Sequence, residues 1–182
     1  MPSRYDDELW ELVPDRREPP EYLRAFVRSL GRVESALDLG CGDGTLTAEL
    51  SAAELTAADV SRVALERAGR RLGPDARLAE LEPDAPLPFG DGVFDLVLCA
   101  ETIEHVRDVQ LLLSEVRRVL RPGGTLALTT PAHRALIRPP HPLSPHLRFF
   151  TRRSLRELLG ELGFEVRSLE RRAGTLLARA SR

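Results

Sequence analysis

Three glycines alternate with other residues at Gly40, Gly42 and Gly44, directly after a short segment, 36–39, with the pattern of a buried strand. Such a turn needs residues that adopt positive φ and that let a ligand approach bare backbone. The sequence predicts a helix over 45–53, whose first N–H groups would face that ligand. The pattern therefore indicates a binding site for a nucleotide-like cofactor.

Carboxylates near these glycines discriminate between cofactors. The dinucleotide-binding fingerprint requires a third glycine at position 45, where this chain has Thr45. Asp38 and Asp43 are unfavourable neighbours of a pyrophosphate and favourable neighbours of a cation. Asp59 ends the next predicted strand and can accept hydrogen bonds from both hydroxyls of a ribose. The alternative is that Asp59 caps the following helix, a role that Ser61 can also fill.

The segment 101–105, E-T-I-E-H, holds two carboxylates and an imidazole. Glu101 and His105 would share a face if the segment were helical. His105 could act as a general base, because the ordinary pKa of histidine is about 6.5. Together with Glu104 and His146, these groups could instead hold a divalent metal ion. A third interpretation is a polar helix start with a hydrogen-bonded imidazole.

The segment 131–150 is rich in proline, arginine and histidine and contains no acidic residue. It follows the fifth predicted strand, so it leaves the same sheet edge as the glycine motif. Positive charge there would orient an anionic acceptor, and Arg148 is the first candidate because a helix capped by Thr151 fixes its position. The alternative is a proline-stiffened surface loop. Its other basic residues are His133, Arg134, Arg138, His141 and His146.

Hydrophobic periodicity predicts five strands that alternate with helices, which is typical of a mostly parallel sheet with helices on both faces. A final antiparallel hairpin brings the expected sheet to seven strands. The predicted strands are 36–39, 55–59, 76–81, Phe94–Ala100, 125–130, 164–169 and 175–180.

The sequence resembles class I S-adenosylmethionine-dependent methyltransferases over nearly its whole length. The similarity includes D-L-G-C-G-D-G-T at the glycines, F-D-L-V-L-C at 94–99 and E-V-R-R-V-L-R-P-G-G at 115–124. It implies a Rossmann-like α/β fold in one methyltransferase domain, 19–182, with S-adenosylmethionine as the cofactor. The chain looks most similar to the small-molecule methyltransferases of ubiquinone and menaquinone biosynthesis.

The resemblance also implies roles for individual residues. Gly40 and Gly42 would give the cofactor access to the backbone, and Asp38 would support its ammonium group. The N–H of Leu81 is the expected adenine contact, since Glu80-Leu81-Glu82 replaces the aspartate that relatives often have there. The full expected cofactor site is Asp38, Gly40, Cys41, Gly42, Asp59, Val60, Leu81 and Cys99.

The E-x-x-E-H pattern is similar to the metal motif of small-RNA 3′-end 2′-O-methyltransferases and to a stretch in Mg²⁺-dependent quinone O-methyltransferases. It is also common in relatives without a metal role, and we expect activity not to need Mg²⁺ or Mn²⁺. The first functional hypothesis is a small-molecule O- or N-methyltransferase, with His105 as catalytic base and His146 and Arg148 at the acceptor. The alternatives are an RNA 2′-O-methyltransferase and a cofactor-binding protein without catalysis.

Composition restricts the remaining choices. The chain has 182 residues and a net charge of −2, which suits one domain and gives no overall bias toward nucleic acid. Arginines outnumber acidic residues only in 121–182, which keeps RNA open as an acceptor. Two cysteines, no apolar leader and no membrane-length segment predict a cytoplasmic protein that does not enter membranes. Residues 1–18 are expected to form a polar arm.

Overall fold

A seven-stranded sheet forms the centre of the protein in a computed structural model that describes residues 4–12, 18–132 and 146–182. Its strands are β1 Arg32–Leu39, β2 Ser51–Asp59, β3 Arg77–Glu80, β4 Phe94–Ala100, β5 Leu120–Pro131, β6 Glu165–Arg172 and β7 Thr175–Ser181. The spatial order is β3-β2-β1-β4-β5-β7-β6. Strand β7 alone runs opposite in direction to the other six strands, because the terminal hairpin inserts it between β5 and β6. The predicted fold class is thereby confirmed.

Five α-helices accompany the sheet within the described residues: α1 Arg4–Leu12, α2 Glu21–Arg28, α3 Arg62–Leu72, α4 Val109–Val119 and α5 Arg152–Glu161. Their starts follow the sequence signals. The hydroxyl of Ser61 accepts from the N–H of Ala64 at the start of α3, and Thr151 forms a capping box with Ser154 at the start of α5. Each cap satisfies an N–H group that the first helical turn leaves without a partner.

The helices cover both faces of the sheet, because successive residues of a strand point to opposite sides. Leu37 and Leu39 of β1 pack into the larger core with Leu113 of α4 and Leu159 of α5. The neighbouring Ala36 points the other way and packs on the opposite face with Val27 of α2, and α3 forms a smaller cluster on strand β2. Five of the seven residues of β4 are buried, and its sequence is apolar except for Asp95, as expected for a strand enclosed between two helical layers.

Strand order reverses between β1 and β4, which lie side by side and parallel. Their carboxyl ends are joined by Thr102, whose hydroxyl lies 3.3 Å from the carbonyl of Leu39 and 3.0 Å from that of Ala100. In open α/β sheets, this reversal point is where a ligand-binding crevice forms. The topology therefore places the glycine motif beside the start of the E-T-I-E-H segment.

The helix predicted over 45–53 is wrong. Strand β2 already begins at Ser51, which pairs with Arg32 of β1. Six residues, 45–50, are left after Gly44, and they form only a short 3₁₀ helix, Thr47–Glu49. Pairing along an extended β1 has overridden the helix preference of the alanines and of Glu49, which is a weak local effect compared with sheet formation.

The expected polar arm, residues 1–18, contains helix α1, Arg4–Leu12. The sequence analysis did not predict this helix. Within the part of the chain that the structure describes, no helix combines the length and the apolar character needed to cross a bilayer.

Candidate functional site at the sheet reversal

The glycine turn at the end of β1 is held against β2 and leaves little room for side chains. The N–H groups of Gly40 and Cys41 both donate to the carbonyl of Ala58, at 2.8 and 3.0 Å. Gly40 has a φ of +76°, and a Cβ there would lie 2.5 Å from the side chain of Thr102. Only glycine fits this position, so Gly40 serves the close approach of β1 and β4 as well as the turn.

Asp38 is a buried carboxyl group directly before this turn, with 2% of its surface exposed. One of its oxygens accepts a 2.6 Å hydrogen bond from the hydroxyl of Thr47. Burial raises the pKa of Asp38 to about 7, and the carboxyl group of Asp59 adds to the shift. Thr47 lies in the short 3₁₀ helix, and the sequence analysis did not identify it as a site residue.

Asp59 ends β2 and fastens the glycine turn to the start of α3. Its carboxylate accepts from the N–H of Gly42 at 2.8 Å and from the N–H of Ser61 at 2.9 Å. Burial raises the pKa of Asp59. The helix cap itself is Ser61, so Asp59 is not needed for that role. A carboxylate oxygen can accept more than one hydrogen bond, so these contacts do not prevent Asp59 from accepting from a ligand.

The other expected cofactor contacts occupy different environments. The N–H of Leu81 donates to the carbonyl of Asp59 at 2.9 Å, which argues against its use by an adenine. Cys41 and Cys99 are buried, and burial raises the pKa of both thiols, so they act as neutral packing groups. Val60 follows β2 and is half-buried.

Helix α1 covers the glycine turn, a contact that the sequence analysis missed. Asp7 accepts from the hydroxyl of Ser61 at 2.6 Å and from the N–H of Val63 at 3.3 Å. The ring of Trp10 lies against Gly42, where an added Cβ would come within 2.6 Å of it. Trp10 is the only tryptophan of the chain, and this is the one sequence feature that could have drawn attention to the segment.

On the other side of the reversal, the segment 101–105 is a turn and not the start of a helix. Glu101 has a φ of +53°, and the N–H of His105 donates to the carbonyl of Thr102 at 3.0 Å. The turn directs Glu101 toward β5, where its carboxylate accepts from the hydroxyl of Thr129 at 3.0 Å. Burial, followed by the nearby carboxyl group of Glu104, raises the pKa of Glu101 to about 7.

Glu104 is the most enclosed titratable group of this segment, with 1% of its surface exposed. Its Oε2 accepts from the hydroxyl of Thr130 at 2.9 Å. Its Oε1 has no hydrogen-bond partner and lies 3.9 Å from Nε2 of His105, which is too long for a hydrogen bond. Burial raises the pKa of Glu104 to about 7.

His146 joins the same group from a distant part of the sequence. Its ring centroid lies 4.8 Å from that of His105, in an edge-to-face arrangement. The N–H of the next residue, Leu147, donates to the carbonyl of Glu104 at 2.7 Å and ties the two segments together. Burial and His105 lower the pKa of His146. Glu104, His105 and His146 each offer a ligand atom, and all three atoms lie within 4.8 Å of one another.

Arg148 is oriented differently from the sequence-based expectation. Its guanidinium group donates to the carbonyl of Arg107, and its Nε is buried without a hydrogen-bond partner. The residues on either side are the apolar Leu147 and Phe149, with 56% and 40% of their surfaces exposed. The remaining basic residues of this segment, His133, Arg134, Arg138 and His141, lie outside the described residues.

The fold and this site define a class of protein: a Rossmann-like domain with a glycine turn, buried carboxylates and a polar cluster facing each other across the strand reversal. A family model described as "Methyltransferase domain" matches residues 37–128. The chain belongs to this family and has the fold of class I S-adenosylmethionine-dependent methyltransferases. Membership implies S-adenosylmethionine as the cofactor.

Individual relatives agree with this assignment. A "Demethylmenaquinone methyltransferase" from Clavibacter sepedonicus is 36% identical over 126 residues, which cover 68% of this chain and 47% of that protein. A "Probable S-adenosylmethionine-dependent methyltransferase" from Mycolicibacterium smegmatis is 37% identical over 173 residues, 91% of this chain and 63% of that protein. The chain thus spans less than two thirds of the length of these relatives.

A solved structure shares the fold. A SAM-dependent methyltransferase from Aquifex aeolicus superposes with a TM-score of 0.72, covering 98% of this chain and 99% of that one at 20% identity. At this identity, the similarity concerns the fold alone.

Proposed function

We propose that this protein transfers a methyl group from S-adenosylmethionine to a hydroxyl or amine of a small-molecule acceptor. The observation that carries the proposal is the pair of buried carboxyl groups, Asp38 and Asp59, on either side of the glycine turn. A carboxylate beside an ammonium group and a second beside a ribose diol match the charge and hydrogen-bonding capacity of this cofactor. The same carboxylates would repel a pyrophosphate.

The chain's own residues then act mainly by positioning. The bound cofactor supplies an electrophilic methyl group, and in-line transfer requires that the acceptor atom be held on its axis. Asp38 and Asp59 fix the two polar ends of the cofactor at the end of β1 and β2. Gly40 and Gly42 shape the turn beside which the cofactor would lie, and the space of their missing Cβ atoms is taken by Thr102 and Trp10.

A hydroxyl acceptor must also lose its proton, and His105 is the proposed base. It lies just beyond the strand reversal, and it is the exposed member of the cluster with Glu104 and His146. Histidine is the side chain most often used as a general base in enzymes. Behind it, the buried carboxyl group of Glu104 is close enough to stabilise the imidazolium that forms.

The acceptor side is apolar as well as basic, which supports a small ring-containing acceptor. Leu147 and Phe149 are exposed beside the cluster, and the ring of Phe149 lies 5.9 Å from that of His146. Exposed apolar side chains next to a polar cluster are typical of small-molecule sites. The name of the Clavibacter sepedonicus relative, a demethylmenaquinone methyltransferase, points in the same direction.

Calorimetry with S-adenosylhomocysteine tests the cofactor site. Asp59→Asn should weaken binding by about tenfold or more, because a charge-assisted pair is lost. Asp43→Asn is the matched control: Asp43 lies in the same turn but pairs with Arg71 at 3.0 Å, so its loss should change affinity little. Absence of binding by the unaltered protein, with tight binding of NAD instead, would overturn the proposal.

A further inference from the structure

We propose that Glu104, His105 and His146 bind a divalent first-row transition-metal ion at the acceptor side of the site. The three potential ligand atoms lie within 4.8 Å of one another. They come from two segments more than 40 residues apart in sequence, and the fold brings them together at one point. Among the described residues, no other group of three such side chains meets this criterion.

The buried carboxylate oxygen points to a ligand. Glu104 is almost completely enclosed, yet its Oε1 has no hydrogen-bond partner. Buried polar atoms in native proteins nearly always have one, so such an exception requires an explanation. Oε1 lies on the side of His105, which places the unpartnered oxygen inside the cluster. A metal ion between the carboxylate and the imidazoles would satisfy it.

The surrounding contacts hold the carboxylate of Glu104 in one orientation, as is usual for a carboxylate that binds a metal ion. The hydroxyl of Thr130 holds the other oxygen, Oε2, at 2.9 Å, and such an outer contact orients a ligating carboxylate. The N–H of Leu147 donates to the carbonyl of Glu104 and keeps His146 next to it. The two imidazoles are more exposed than the carboxylate, so they have room to rotate. Rotation would bring the ligand atoms from their present spacing to the separation of about 3.4 Å that tetrahedral ligands have from one another.

The donor set selects the ion. Two imidazoles and one carboxylate suit Zn²⁺, Co²⁺ or Fe²⁺, whereas Mg²⁺ prefers oxygen ligands. Glu101 does not belong to the set, because its carboxylate accepts from Thr129 instead. The site therefore differs from the four-residue combination considered from the sequence. Three protein ligands leave a coordination position open, as in catalytic metal sites.

The role of the ion follows from the open position and rests on the proposed methyl transfer. An acceptor hydroxyl that binds there has its pKa lowered by the ion and releases its proton to solvent. The resulting alkoxide oxygen attacks the methyl carbon of S-adenosylmethionine: the O–C bond forms as the S–C bond breaks, and S-adenosylhomocysteine leaves with the electron pair. With the ion in place, His105 serves as a ligand and the ion replaces it in activating the acceptor.

Titration of the full chain, prepared without a histidine tag, with Co²⁺ tests the site. Co²⁺ bound by four or five ligands absorbs visible light, so the readout does not depend on activity. Glu104→Gln and His146→Gln should each weaken Co²⁺ binding by at least about tenfold. Glu101→Gln is the matched control and should bind Co²⁺ as the unaltered protein does, because Glu101 lies outside the ligand set.

A second control concerns the other two histidines, since the chain has four. Replacing His133 and His141 together should leave Co²⁺ binding intact. Loss of binding in that variant, or unchanged binding in both Glu104→Gln and His146→Gln, would overturn the metal site. Binding of S-adenosylhomocysteine shows that each variant is folded. It also separates the proposed methyl transfer from the proposed metal site, because a protein that binds this ligand but not Co²⁺ is a methyltransferase without the ion.

Discussion

Replacing Asp38 by asparagine should change how the stability of this protein depends on pH. Asp38 is buried at the end of β1, and burial raises its pKa from 3.8 to about 7. Between these two values, the folded state holds a proton that the unfolded state has released. The free energy of unfolding contributed by this group therefore falls as pH rises through that interval. Asparagine cannot titrate, so Asp38→Asn removes this dependence.

The size of the effect follows from the two pKa values. A difference of about three units corresponds to about 4 kcal/mol, at 1.36 kcal/mol per unit. The contribution of Asp38 to the free energy of unfolding differs by this full amount between pH values below about 4 and pH values above about 7. Relative to Asp38→Asn, the unaltered protein should thus lose up to about 4 kcal/mol of stability over this range. The sign is opposite to that of a carboxylate in a salt bridge.

Urea unfolding at several pH values between 4 and 8 measures this difference. Other carboxyl groups titrate in both proteins, so subtraction isolates Asp38. Glu54→Gln, which removes an exposed carboxylate from β2, is the matched control and should keep the slope of the unaltered protein. Equal slopes for the unaltered protein and Asp38→Asn would refute the assignment of a buried, protonated Asp38.

Three further predictions follow. Binding of S-adenosylhomocysteine at pH 6 should release a proton from Asp38, because the ammonium group of the ligand favours the ionised carboxylate. Calorimetry in buffers of different ionisation enthalpy measures this release, and equal heats in all buffers would contradict it. Gly40→Ala should destabilise the protein by about 1–3 kcal/mol more than Gly31→Ala in urea unfolding, since both have positive φ but only a Cβ at Gly40 meets Thr102. Thr151→Ala should cost about 1 kcal/mol in the same assay through the loss of the cap on α5, and an unchanged midpoint would show that the cap contributes nothing.

Strands and capped helices could be predicted wherever local signals agreed with the final packing. The bounds of β4 were predicted correctly, because an apolar run enclosed by polar loops has one reasonable placement. The cap at Ser61 was equally clear. The helix over 45–53 failed because the choice depended on pairing with β1, whose extension back to Arg32 is a long-range contact. Local propensity does not contain that information.

The candidate site likewise contains residues that could be located from the sequence and contacts that could not. Asp38 and Asp59 could be located from sequence, because strand ends at a reversal point converge in any doubly wound sheet. The packing of Trp10 on Gly42 could not, since nothing in the sequence couples the first helix to the glycine turn. The separation of Glu101 from Glu104 could not be predicted either, because it depends on a positive φ at Glu101 that redirects its side chain toward Thr129.

The burial of Asp38 and Asp59 is itself an argument for a ligand. Burial raises the pKa of both carboxyl groups, which means that the fold holds them where their charged forms are disfavoured. Ionising a carboxyl group at such a position is costly, because no opposite charge accompanies it and its partners are neutral hydroxyl and N–H groups. A cationic group beside Asp38 and hydroxyl donors beside Asp59 would offset that cost only when bound. The stability lost in the free protein is then recovered as affinity, and this is the expected trade between stability and function at a binding site.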